Sequence, residues 1–138
     1  MHAEAIVAEQ TSRNRYQQPF PLPPREIELT VRIEMPEGTG ADVGIDADFD
    51  PPLPSTWEDS LQQRLYQGVH GGFANVGVPL PEGGIGVHIL QVRILPPLES
   101  TAEADDVQRL GETLEALTAA TVSALWTGVI TLGSSAVP

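Results

Sequence analysis

Apolar and polar positions alternate without a break in REIELTVRIEM, Arg25–Met35. Ile27, Leu29, Val31 and Ile33 fall on one side; Glu28, Thr30, Arg32 and Glu34 fall on the other. A period of two predicts a strand with one buried face. PEGTG follows as a turn. In ADVGIDADF, residues 41–49, Val43, Ile45, Ala47 and Phe49 alternate with aspartate or small residues. This predicts a second strand, returning antiparallel through a hairpin connection. In VHILQVRIL, residues 87–95, Val87 and Ile89 share one phase, whereas Leu90, Val92 and Ile94 share the other. The change of phase predicts a β-bulge, or a strand covered on both sides at its start.

Elsewhere the spacing lengthens. After the stiff PPLP run, Trp57, Leu61, Leu65 and Val69 recur every fourth residue and predict a helix with one apolar face. Ser55 is its expected N-cap, with Glu58 completing a capping box; Thr56 is the alternative cap. Gly68, Gly71 and Gly72 are expected to weaken and end this helix, leaving Phe73 to pack after the turn. NVGVPLPEGGIG, residues 75–86, reads as a loop. A second helix is predicted from Thr101 or Ala102 to Trp126, with Val107, Leu110, Leu114, Leu117, Thr121 and Leu125 as its stripe. Ser100 or Thr101 caps it, Gly111 marks a close approach by another element, and Trp126 anchors its end. Gly128 then ends the helix, and VITL, residues 129–132, is a possible last strand.

Residues 1–24 read as a flexible or extended tail. QQPFPLPP holds its end extended, and residues 5–7 offer a short edge strand. Residues 25–132 form a single domain, and residues 133–138 fray. The order β-β-α-β-α, with an optional terminal strand, gives an α/β (α+β) fold. It is a two-layer sandwich, a mixed or mainly antiparallel sheet with two helices on one face.

Composition narrows the function classes. The 138 residues carry 19 acidic and 7 basic side chains, a formal charge of −12, and no lysine. A negative field of this size disfavours autonomous nucleic-acid binding. The arginines at 13, 15, 25, 32, 64, 93 and 109 are scattered in sequence, although folding can gather some of them. No cysteine is present, which excludes disulfides, thiolate catalysis and cysteine-rich zinc sites and fits a reducing cytoplasm. No apolar run approaches a membrane span, and no signal-peptide pattern opens the chain.

The acidic stretch DADFD invites a metal reading. A calcium loop needs glycine at its sixth position and glutamate at its twelfth. Counted from Asp46 these are Pro51 and Trp57; counted from Asp42 they are Ala47 and Leu53. Neither register fits. Asp46, Asp48 and Asp50 therefore read as the solvated face of a strand, with weak divalent binding as the alternative. GGIG does not make a phosphate loop, because no GxxxxGK[ST] occurs. No cofactor is expected.

LQQRLYQGVHGGFANVGVPLPEGGIGVHILQVRIL and RLGETLEALTAATVSALWTG resemble the helix, glycine-containing turn, long strand and following helix of the fourth domain of translation elongation factor G. The resemblance spans residues 55–128 and implies the fold also found in ribosomal protein S5. The family domain reaches ribosomal RNA through loops at its tip. Here the corresponding NVGVPLPEGG carries only Glu82 as a charge, and LESTAEADD loosely replaces the motif before the second helix. No RNA-contact residue carries over.

Three functions remain. The leading one is a non-catalytic, acidic protein that forms a homo-oligomer or binds another protein, with Phe49, Leu53 and Trp57 as interface candidates. An alternative is a hydrolase-like enzyme with a cleft assembled from His70 or His88 and Asp46, Asp48 and Asp50. The sequence leans against it because no spacing pairs an acid with a base. A ribosome-associated accessory protein is the third.

Overall fold

A computed structural model of the chain describes residues 6–35, 41–44, 48–50, 52–76 and 85–135. Among the described residues, five strands and two helices follow one another as β1 (Ile6–Tyr16), β2 (Arg25–Met35), β3 (Ala41–Gly44), β4 (Asp48–Asp50), α1 (Ser55–Val76), β5 (Ile85–Leu95) and α2 (Ala104–Ser135). They build an α+β two-layer sandwich around a mixed sheet, as the periodicity predicts. The sheet order is β1-β2-β5-β3, with β4 pairing β5 further along.

The alternation of β2 sets the layers. Ile27, Leu29, Val31 and Ile33 are buried against the helices, joined by Val87, Ile89, Val92 and Ile94 of β5 and Phe49 of β4. Leu61, Leu65, Val69 and Phe73 of α1 and the Val107–Leu125 stripe of α2 close this core. The phase change in β5 is a bulge. Thr30 faces Gln91 while the next residue, Val31, faces Ile89, so Leu90 is the extra residue. The insertion returns Val92 and Ile94 to the face already occupied by Val87 and Ile89.

Several expectations change. Residues 6–16 are not a tail: they form an eleven-residue edge strand, antiparallel to β2 throughout. The described parts of the second strand, β3 and β4, do not pair with β2. Both run parallel to β5, which lies between them and β2. The direction expected for a returning strand is kept, but the apolar β5 takes the central place. This follows from burial, since a strand apolar at Val87, Ile89, Val92 and Ile94 hides most surface in mid-sheet.

The glycines do not end α1. Gly68 and Gly72 lie inside it, one turn apart, against α2. A Cβ on Gly72 would lie 2.7 Å from Val122 Cβ and 2.8 Å from the Ala119 carbonyl oxygen. The close approach also lets Ser123 Oγ donate to the Gly72 carbonyl at 2.8 Å. Phe73, still helical, meets Trp126 edge-on, with ring centroids 5.4 Å apart and planes at 76°. Gly111 does mark a close approach, that of the Arg64 side chain from α1.

Both helices start away from their expected caps. The Pro54 carbonyl accepts from Trp57 N and Glu58 N, which places Ser55 inside the first turn, where a capping box cannot form. Glu103 holds the corresponding place in α2, accepting from Asp106 N and Val107 N. α2 runs through Gly128 to Ser135, replacing both the last strand and the start of the frayed end. One interior glycine costs a helix only about 1 kcal/mol, and no proline intervenes before Pro138. Of the loop expected at residues 75–86, residues 75 and 76 belong to α1 and residues 85 and 86 to β5, while residues 77–84 lie outside the described residues.

Candidate functional site

The face of the sheet turned away from the helices is uncovered by any described element, and the strand registers organise its charges into rows. Arg13 of β1 faces Glu28 of β2, which faces Arg93 of β5, which faces Asp50 of β4. In the next row Thr11, Thr30, Gln91 and Asp48 occupy successive strands. Beyond it lie Glu9, Arg32, His88 and Gly44. Arg15, Glu26 and Leu95 form a row at the other end. Four of the seven arginines therefore gather here, interleaved with carboxylates.

Contacts follow the rows. Arg13 Nε donates to Glu28 Oε2 at 2.8 Å, Arg32 Nη2 donates to Glu9 Oε1 at 3.0 Å, and the Thr11 and Thr30 hydroxyls meet at 2.9 Å. Arg13, Arg15, Glu26, Glu28, Arg93 and Leu95 border an open depression of about 480 Å³. Its mixed charge suits another mixed-charge surface better than a polyanion.

The edge of β1 adjoins this face. Among the described residues β1 pairs on one side only, with β2. It is eleven residues long and contains no proline. On the helix side it presents Ala8, Gln10, Ser12, Asn14 and Tyr16, polar except at Ala8 and Tyr16, with Gln10 Nε2 donating to Ser12 Oγ at 3.0 Å. On the opposite edge the described residues give β3 and β4, both parallel to β5. A long regular edge such as β1 exposes a row of backbone donors and acceptors.

A buried polar clamp fixes where β1 leaves the sheet. Arg25, at the start of β2, is 5% exposed. Its Nη1 donates to Asp106 Oδ2 at 2.7 Å and also to the Tyr16 hydroxyl, while Nε donates to the Pro96 carbonyl at 3.0 Å. The Tyr16 hydroxyl in turn donates to Asp106 Oδ1 at 2.8 Å. Burial, reinforced by the hydrogen bond to Asp106, pushes the Tyr16 phenol up to about 12. Below it, Gln18 Nε2 donates to the Pro23 carbonyl at 2.9 Å and closes the β1–β2 connection. Four parts of the chain thus meet at one arginine. Their separation in sequence hid the cluster, and the only local sign was a charged residue at the head of an apolar strand.

The sequence-derived candidates are divided between the two layers. Asp46 lies outside the described residues. Asp48 is a β4 residue opposite Gln91, and Asp50 is exposed opposite Arg93. His88 is half-buried opposite Arg32. It shares the open face with Asp50 but is roughly 15 Å from it at ordinary strand rise. His70 is exposed on α1, in the other layer. A cleft joining His70 to Asp50 therefore does not form. Among the described residues, no group of three or more histidines, aspartates and glutamates is arranged to hold a metal ion.

Phe49 belongs to the core, and Leu53 and Trp57 pack half-buried against it. Among the described residues, the large apolar side chains most open to solvent are Phe20, Leu22, Leu95 and Tyr66, with Phe20 96% exposed on the β1–β2 connection. Among the described residues, no helix is long and apolar enough to cross a membrane. In comparisons with known proteins, no family model and no curated protein matches this chain.

Proposed function

We propose that this is a non-catalytic association module of the cytoplasm, whose partner is another copy of itself or a second protein. The observation that carries the reading is the edge of β1, unpaired among the described residues, beside an open sheet face of alternating charge. A sheet edge supplies backbone hydrogen bonds to a partner, and a patterned face supplies the register. A hydrolase-like centre has weaker support, because His70 lies in the other layer and His88 stands roughly 15 Å from Asp50 along the strands.

Light scattering over a broad concentration range tests the proposal. A discrete species at a multiple of 14.8 kDa is expected. Particles of 14.8 kDa alone, with no partner retained at moderate salt, overturn it.

A relation to the fourth domain of elongation factor G is a second reading. It is supported by the order of α1, β5 and α2 within residues 55–128, which is the order the likeness implies. The interleaved carboxylates of the open face argue for contact through a protein rather than directly with RNA. Co-sedimentation with ribosomes above the level of an equally acidic control is the expected result. No enrichment removes this reading.

A further inference from the structure

The geometry points to a specific mode of association: two copies join antiparallel along β1, with the twofold axis passing between Thr11 and the second copy's Thr11. This inference rests on the self-association proposed above and assigns its surface and register.

Strand β1 is self-complementary when reversed about Thr11. Glu9 then faces Arg13 of the second copy, and Arg13 faces the second copy's Glu9. Gln10 faces Ser12, Ile6 faces Tyr16, and all eleven residues of the strand are used. A twofold perpendicular to the sheet keeps the open face of both copies on the same side, so only residues of the same parity can face each other. Centres at Glu9 or Arg13 would put like charges directly opposite, which is destabilising. A centre at Gln10 pairs Glu9 with Thr11 and leaves Arg13 opposite Val7. A centre at Ser12 pairs Glu9 with Arg15 but leaves Arg13 opposite Thr11 and residues 6 and 7 beyond the pairing.

The rows of the open face favour the Thr11 centre as well. Arg93, Glu28 and Arg13 of one copy would continue into Glu9 and Arg32 of the other, so the sign alternates across the junction without a break. The Thr11, Thr30 and Gln91 row would cross the axis into its own image. Pairing along eleven residues would add roughly ten backbone hydrogen bonds, with the Arg15 amide exchanging its present acceptor, Asn14 Oδ1, for the second copy.

The chain has no cysteine, so single cysteines report the register without background. Directly facing residues in antiparallel strands have Cα atoms about 4.5–5.5 Å apart, within the range a disulfide spans. Thr11→Cys is expected to cross-link between copies under mild oxidation roughly tenfold faster than Ala116→Cys, on the exposed side of α2, because facing thiols are held at high effective concentration. Glu9→Cys mixed with Arg13→Cys should give the mixed dimer in preference to either self-dimer.

Fastest self-linking at Ser12→Cys overturns the register but keeps the edge. Oligomers in light scattering with no acceleration anywhere from Ala8 to Asn14 overturn the β1 interface and leave self-association standing. A wild-type protein that is monomeric throughout overturns both.

Discussion

Gly68 faces Thr118 so closely across the two helices that a Cβ on Gly68 would sit 2.6 Å from the Thr118 Cβ. The same atom would be 2.8 Å from the Glu115 carbonyl oxygen, which belongs to backbone and cannot turn aside. Gly71, on the adjacent side of the helix, has only Ala119 Cβ nearby, at 3.9 Å. The glycines of α1 therefore divide by function. Gly68→Ala and Gly72→Ala should destabilise the protein by about 1–3 kcal/mol, since overpacking outweighs the better helix propensity of alanine. Gly71→Ala should stabilise it by about 0.5–1 kcal/mol. Urea unfolding of the three variants checks the division, and equal signs for Gly68 and Gly71 would refute it.

The clamp around Arg25 makes a second prediction. Asp106→Ala removes the carboxylate from a guanidinium whose side chain is 6% exposed. Breaking a buried pair from one side typically costs about 3–5 kcal/mol, because the remaining charge is left uncompensated. Asp106 is itself partly solvated, so the lower end of that range is expected. The exposed pair Arg13–Glu28 provides the contrast, where Glu28→Ala should cost no more than about 1 kcal/mol. Thermal unfolding of both variants at neutral pH measures the difference.

Tyr16 couples the same cluster to alkaline pH. Its phenol is pushed up to about 12 in the folded protein, against about 10 in an unfolded chain. The folded state thus holds the proton more tightly. The stabilisation is fully present below pH 10 and is lost as pH rises through the folded value near 12. Ultraviolet titration of a Tyr66→Phe variant, which leaves Tyr16 as the single tyrosine, should show a late phenolate transition accompanied by loss of stability. A transition complete by pH 10.5 would show that the hydroxyl is not held by Asp106.

These features differ in how far the sequence reveals them. β2 and the stripe of α2 are legible because each has one face fully in the core, so burial writes its period into the residues. β1 is not. Its helix side carries Gln10, Ser12 and Asn14, because an edge strand only partly covered by the helices needs no continuous apolar face. The glycines of α1 read as a stop because propensity is local, whereas their use depends on the approach of α2. The gathering of four arginines on the open face depends on register, and register depends on β5 entering between β2 and β3. Residues that meet across 90 positions, as Tyr16 and Asp106 do, leave no local pattern.

The acidic stretch yields a further prediction. Asp50 is exposed at a strand whose neighbour, Phe49, points into the core. Replacing Asp46, Asp48 and Asp50 together by asparagine should keep the fold and lessen self-repulsion. The unfolding midpoint should hold or rise slightly. Calorimetry of the parent protein should show no calcium or magnesium binding tighter than about 10 μM. A stoichiometric tight signal that the triple variant loses would instead make DADFD a metal site.

The bulge in β5 can be tested by removing it. Val31 faces Ile89 and Thr30 faces Gln91, so Leu90 alone separates two stretches that already match β2. Deleting Leu90 joins Ile89 to Gln91 and leaves Val87, Ile89, Val92 and Ile94 on the buried face in plain alternation. The cost should be limited to the contacts of a half-buried leucine and the lost local twist, about 1–3 kcal/mol. Deleting Arg93 is different. The bulge remains, but Ile94, now 2% exposed, moves to the open face, and every later residue of the strand shifts with it. Circular dichroism with urea unfolding should therefore find a cooperative fold after loss of Leu90 and a severely destabilised chain after loss of Arg93. If both deletions unfold the protein equally, the extra residue at position 90 sets the sheet's curvature and does more than restore the phase of β5.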